Sequence, residues 1–552
     1  MATRFTRRRF FGGAAAGGIG LAIGGNTRVS ARALPAPDSI DTTDLAMLGA
    51  VQAASLLQSG KLDPRELLDA CFARSRATDG SVNAWIRIYP EVAYAAADAA
   101  ASRLSAAGRT REGGSVPLVC GVPIGLKDLY AVSGLPVTAS SRVLQGNIAA
   151  GDSGVWKRLR DAGMVLMGHT HTHEFAFGVS TPQVGNPWDL SKSAGGSSGG
   201  SAAALAASFT PLATGTDTGG SLRIPASACG ISSIKPTFGR CSVAGVIPLA
   251  WTRDHTGPMA RSVSDAAFLL SYMAGVDVED PTTSAGPAVP RDGYSISAVG
   301  GSAPLSGRRL GLPVNAVGEL PSALAALFEE ALNQARRLGA EIVEVALPPV
   351  PQSLLLGDKV EVGSYHQQFA DRIGLYEADT ALLVGADILA LASPVSDYLG
   401  IERDRLRFQR AYNRMFSDSA LDAIVLPGAV VDGVVRDEMA QFSVFDAPVA
   451  NVVWANYAGV PVVSMPVGRS RETGLPFGIQ IGGLAWQENT VIDIALELEE
   501  SAPHWREVPQ VLSAPRAVPE VAISLPGAGP EATNTRSDPP SFYALPTTST
   551  RE

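Results

Sequence analysis

Charge is scarce in this chain: Asp, Glu, Lys and Arg make up 18% of its 552 residues, against 46% hydrophobic ones. A chain of that length and composition can bury a large core. Basic residues are the minority, 44 Lys and Arg against 53 Asp and Glu, and no basic block occurs, which argues against nucleic acid as a partner. Cysteine is nearly absent. Cys71, Cys120, Cys229 and Cys241 show no metal-ligand spacing, and so sparse a set fits buried free thiols better than a disulfide framework. Also lacking is a run of about 20 strongly apolar residues, so no stable membrane anchor is expected. No internal repeat is evident.

Glycine and serine, by contrast, cluster. Gly195-Gly196-Ser197-Ser198-Gly199-Gly200-Ser201 is followed by Gly215-Thr216-Asp217-Thr218-Gly219-Gly220-Ser221, and Gly121-Val122-Pro123-Ile124-Gly125-Leu126-Lys127-Asp128 lies upstream. A serine that must approach a reacting carbonyl needs backbone that bends sharply without an obstructing Cβ, which glycine supplies. Taken singly, either glycine motif reads equally as a flexible linker or an anion nest. Further along stand His173-Glu174-Phe175, Asn186-Pro187, Ser221-Leu222-Arg223-Ile224-Pro225-Ala226, Lys235-Pro236-Thr237-Phe238-Gly239-Arg240, Gly257-Pro258-Met259-Ala260-Arg261-Ser262 and Gly474-Leu475-Pro476-Phe477-Gly478-Ile479-Gln480.

Together these motifs resemble the amidase signature family over most of the chain. The resemblance implies an α/β protein of the amidase signature fold, a large mixed β-sheet sandwiched between α-helices, occupying residues 38–512 as one unit. It implies Ser221 as nucleophile, Ser197 as a relay preceded by a cis peptide bond, and Lys127 as base, with no cofactor and no metal. A serine hydroxyl attacks poorly unless a neighbour takes its proton, a contribution of about 10²–10⁴-fold. Lys127 must therefore be neutral, although a free lysine titrates near about 10.4. Ile124, Gly125, Leu126, Leu129 and Tyr130 form a desolvating surround, with Asp128 alternating to the opposite face. Backbone N–H groups of Thr218, Gly219, Gly220 and Ser221 are the expected substrate-binding donors for the oxyanion. The expected partner is a small-molecule amide, cleaved to the acid plus ammonia or amine; a homodimer is left open. The alternatives are a subunit of a tRNA-dependent amidotransferase, or a carbamate or ester hydrolase on the same triad.

The N-terminus carries a separate signal. Thr6-Arg7-Arg8-Arg9-Phe10-Phe11 looks like a twin-arginine export motif, followed by a Gly/Ala run to Gly25 and a cleavage-like Ala31-Arg32-Ala33. Residues 1–33 are read as a leader, giving a periplasmic or extracellular protein. Its removal takes six arginines and no acids, leaving (44 − 6) − 53 = −15. The last 40 residues, 513–552, contain seven prolines among Ser, Thr, Gly and Ala and read as a disordered tail.

Periodicity gives the α/β class its elements. A helix is expected from Ser153 to Gly163 and a strand at Val165 to Met167. Arg309 to Leu312, Ser322 to Leu338 and Glu341 to Val345 read as a βαβ unit. Strands are expected at Ala423 to Leu426, Val460 to Met465 and Phe477 to Ile481, and a helix from Glu488 to Glu499. Residues 280–306 read as a surface connection. His169, His171 and His173 alternate as on one strand face but lack the carboxylate and cysteine framework of a metal site; pocket or structural roles are expected. His255 and His366 stand isolated, with nothing placing them near Ser221. Phe175, Phe177, Tyr365 and Trp454 are candidate pocket-lining residues, and aromatic or medium-length aliphatic amides are expected over charged ones.

Overall fold

Apolar strands alternate with amphipathic helices along the chain, a pattern that forces a sheet between helical layers. The computed structural model describes residues 34–109, 116–430, 434–435 and 451–509; the leader expected at 1–33 and the tail expected at 513–552 lie outside them. Among the described residues the strands are β1 (Trp85–Ile88), β2 (Pro123–Lys127), β3 (Val165–Thr170), β4 (Gly185–Asn186), β5 (Asp189–Ser193), β6 (Leu212–Asp217), β7 (Ser232–Lys235), β8 (His255–Ala260), β9 (Arg309–Pro313), β10 (Glu341–Val345), β11 (Ala423–Pro427), β12 (Val462–Arg469) and β13 (Pro476–Gly482). Eleven form one sheet in the order β1-β3-β2-β6-β8-β7-β12-β13-β11-β9-β10, and β4 pairs with β5 apart from it.

The sheet is mixed. β2 runs parallel to β3 and β6, and β9 parallel to β10 and β11, whereas the strands from β6 across to β11 pair antiparallel. Every residue of β2, β3, β6, β8, β11 and β13 is buried, as expected of strands covered by helices on both faces. Edge strand β10 exposes Glu341 and Glu344.

Local chemistry explains the expected elements. Ser153 caps helix Gly154–Asp161 by accepting from the Trp156 N–H at 3.4 Å, Val155, Trp156 and Leu159 face inward, and Gly163 ends the turn at φ +90°. The βαβ unit is present: helix Ser322–Arg337 buries Leu324, Phe328, Ala331, Leu332 and Ala335 between parallel neighbours β9 and β10. The last long helix spans Glu488–Ser501. Residues 280–306 are more than a surface connection, because a 3-10 turn at Pro281–Ala285 starts them and Tyr294, Ile296 and Leu305 are buried. All four cysteines are buried and free.

The histidine alternation does not continue as a strand. β3 stops at Thr170, and Glu174–Ala176 forms a 3-10 turn with Phe175 at φ +50°, so the three imidazoles separate. His169 bridges Tyr89 Oη (2.8 Å) and the Tyr130 carbonyl (3.0 Å), His171 lies against Ser140 and Gln183, and His173 packs beside Gly178.

Candidate active site

β2 and β6 are parallel neighbours, so their C-terminal ends open on the same edge of the sheet, where α/β folds hold ligands. Lys127 ends β2, and Thr216 and Asp217 end β6. Ser197 and Ser198 lie just before helix Gly199–Ala206. The Lys127 Nζ consequently meets three hydroxyls: Ser197 Oγ at 2.8 Å, Ser198 Oγ at 3.0 Å and Thr216 Oγ1 at 2.8 Å. Lys127, Ser197 and Ser198 are fully buried. Burial pushes the lysine down to about 7, against the opposing pull of the Asp217 and Asp254 charges. Asp128 does turn away, to Arg87 and Thr138 on the other side of β2.

The bond between Gly196 and Ser197 is cis. Only glycine fits at position 196, since a Cβ would overlap the Ser180 backbone. Gly220 is equally constrained: its φ is +121° and a Cβ would meet Val452.

Asp217 organises the turn that carries Ser221. Both its oxygens face Arg223, at 2.9 Å to Nε and 3.0 Å to Nη2, and Asn456 Nδ2 donates to Oδ1 at 2.7 Å. The same carboxylate accepts the N–H groups of Gly220 (2.7 Å) and Leu222 (3.2 Å), bracketing Ser221 on either side. Arg223 continues to Asn456 Oδ1 and Gln480 Oε1. Burial alone would raise the Asp217 carboxyl, but Arg223, Lys235 and Asn456 together outweigh it and hold the group well below the usual carboxylate range. One expected donor is thereby corrected: the Gly220 N–H is taken by Asp217. Those of Thr218, Gly219 and Ser221 have no acceptor among the described residues. Ser221 is 7% exposed, whereas Ser197 is sealed, so of the two serines only Ser221 keeps a contact with solvent.

A cleft opens beside this turn. Its lining includes Leu129, Ala131, Val137, Ala176, Thr216, Thr218, Val246, Ile247, Asp254, His255 and Tyr365. Of the four expected lining residues only Tyr365 reaches it. Phe175 packs behind, in a ring cluster with His366 (4.7 Å) and Tyr376 (5.5 Å), and Phe177 lies against His366. Trp454 stacks on Tyr412 in a separate core. His255, which nothing in the sequence placed near Ser221, pairs with Asp217 across β6 and β8. Its Nδ1 faces the carbonyls of Asp217 (3.1 Å) and Arg253 (2.5 Å), which fixes the proton there; burial keeps the ring neutral. Sequence reasoning gave no role to Thr216, Asp217, Arg223, Asn456 or the 243–251 wall. Asp217, Arg223 and Gln480 stood inside the motifs that carry the family resemblance, and that was their only signal.

Comparison with known proteins identifies the family. Residues 66–492 match the family model described as Amidase. An amidase of Pseudomonas putida is 35% identical over 498 residues, covering 86% of this chain and 100% of the relative. A glutamyl-tRNA(Gln) amidotransferase subunit from a Ruegeria species is 33% identical over 503 residues, covering 83% of this chain and 98% of the relative. Among solved structures, the native peptide amidase of Stenotrophomonas maltophilia matches with a TM-score of 0.69 at 29% identity, over 84% of this chain and 98% of the other.

Proposed function

The chain belongs to the amidase signature family and is an amidohydrolase, and from that premise we propose that it cleaves a carboxylic amide through an acyl-enzyme on Ser221. Ser221 Oγ bonds to the carbonyl carbon while its proton passes to Ser197, whose own proton passes to Lys127. The C–N bond then breaks as the relay returns a proton to the leaving nitrogen. Water enters by the same route in reverse and releases the acid. N–H groups of Thr218, Gly219 and Ser221 are the donors for the oxyanion.

The observation that carries this reading is the Lys127 environment. A buried amine pushed down to about 7, 2.8 Å from Ser197 Oγ, exchanges protons near neutrality, which a solvated lysine does not. Neutral Nζ keeps two donors, enough for Ser198 and Thr216, and one lone pair for Ser197. The test is hydroxylamine trapping: the enzyme should yield a hydroxamate from its amide substrate, and Ser221→Ala should lose turnover by about 10³-fold or more. Equal turnover in the variant would reject the nucleophile.

The likeness to an amidotransferase component favours a second reading, in which released ammonia passes to a partner protein. The sequence of residues 1–33 supports export instead, away from aminoacyl-tRNA. Fractionation separates the two: the processed chain should be recovered outside the cytosol, and an uncleaved cytosolic chain would favour the amidotransferase.

A further inference from the structure

We propose that the cleft beside Ser221 is an acyl site for an uncharged, hydrophobic acyl group, and that the one carboxylate in it, Asp254, is a structural clamp and not a counter-ion. The proposal rests on the amidase reading above and deepens it by naming the substrate class.

The polar side chains of the cleft are those of Thr216, Thr218, Trp251, Asp254, His255, Thr256 and Tyr365, and Asp254 alone among them carries a formal charge. Thr216 Oγ1 accepts from Lys127, and Thr256 Oγ1 donates to the Ser242 carbonyl at 3.0 Å. Asp254 Oδ1 accepts from Thr218 Oγ1 at 2.5 Å and from the Ala250 N–H at 3.1 Å, and Oδ2 accepts the Leu249 N–H at 2.8 Å. Three donors from the protein thus occupy its oxygens, and it is 9% exposed. His255 is neutral, and its Nε2 is sealed without a partner among the described residues.

Neighbouring charges are also committed. Arg253, next to Asp254, pairs with Asp358 and stacks on the Tyr457 ring at 4.7 Å. The remaining walls, Leu129, Val137, Ala176 and Ile247 among them, carry no formal charge. A carboxylate entering this space leaves its water and meets no cation, and an ammonium meets only a carboxylate whose oxygens already hold three donors, so either is penalised. An alkyl or aryl group loses nothing and gains contact area.

The glutamine of an amidotransferase carries both charges on its acyl part, so the same want of free partners disfavours that substrate. The test compares isosteres. kcat/KM should rise about fourfold per methylene from acetamide to hexanamide, and hexanamide should exceed 5-aminopentanamide, glutaramate and glutamine by about 100-fold or more. Calorimetric titration of Ser221→Ala reads the same preference without turnover, hexanamide binding more tightly than 5-aminopentanamide. Charged isosteres used or bound within threefold of hexanamide would overturn the acyl-site proposal while leaving the amidase reading intact. Conversely, tighter hexanamide binding with no amide cleaved and no Ser221 labelling by a fluorophosphonate would sink the amidase reading and leave the site.

Discussion

Lys127 works only if it is a base at the pH of the reaction, and its surroundings make that a measurable property. Below about 7 its ammonium persists and cannot take the Ser197 proton; above it the amine is free. The kcat/KM profile should therefore climb with pH through an inflection near 7 and then level off. Thr216→Val removes a hydroxyl that stabilises the ammonium, so the inflection should move to lower pH; a move upward or no change would mean that Thr216 does not tune the base. Arg223→Met makes a different demand, because it leaves the buried Asp217 charge without its guanidinium. Breaking such a pair costs roughly 3–5 kcal/mol, so urea denaturation should show a loss of that order, with turnover lost as the Ser221 turn loosens. Lys127, Ser197 and Ser221 were named through the family resemblance of their glycine-rich motifs, whose spacing alone also fits a linker or an anion nest. The Asp217–Arg223 pair was not, since an acid and a base six residues apart specify nothing until a turn folds them together.

The elements that shape the cleft belong to distant parts of the chain. The 249–254 segment is held from outside by helices Leu354–His366 and Val395–Ser419. Thr252 donates from N and Oγ1 to Glu361, Tyr398 Oη donates to Glu361 at 3.1 Å, and Arg405 Nη1 donates to the Thr252 carbonyl at 2.7 Å. These residues touch neither Ser221 nor Lys127 and act through the wall. Glu361→Ala should raise KM for hexanamide several-fold while changing kcat and the pH inflection little; an equal fall in kcat would mean that the clamp reaches the relay. Tyr365, read from the sequence as a candidate lining residue, does line the cleft, but the helices serve mainly as a buttress. Trp454 failed as a lining residue because aromatic type marks burial, not which cavity a ring faces. His255 was unplaceable because β6–β8 pairing joins residues 38 positions apart (255 − 217). The strands read more easily, being continuous apolar runs in a sheet covered on both faces.

At the scale of the whole molecule, helix Glu488–Ser501 acts as a staple. Its buried carboxylates each take backbone donors from a different remote segment: Glu488 from Thr237 at 2.9 Å, Glu497 from Val299 at 2.6 Å, and Glu499 from Val263 at 2.6 Å. The Glu499 contact also satisfies the start of helix Val263–Met273. Burial pushes the Glu499 carboxyl up to about 8, from an ordinary value of 4.5, despite those donors. A folded-state value above the unfolded one means that the unfolded chain releases its proton first, so the contribution is fully present below about 4.5 and is lost as pH rises through 8. The size is on the order of a few kcal/mol. Urea midpoints measured between pH 5 and 9 should therefore fall as pH rises. Glu499→Gln keeps an oxygen for the Val263 N–H and cannot ionise, so it should flatten that slope and leave the variant the more stable protein at pH 9. A slope unchanged by Glu499→Gln would place the titrating group elsewhere.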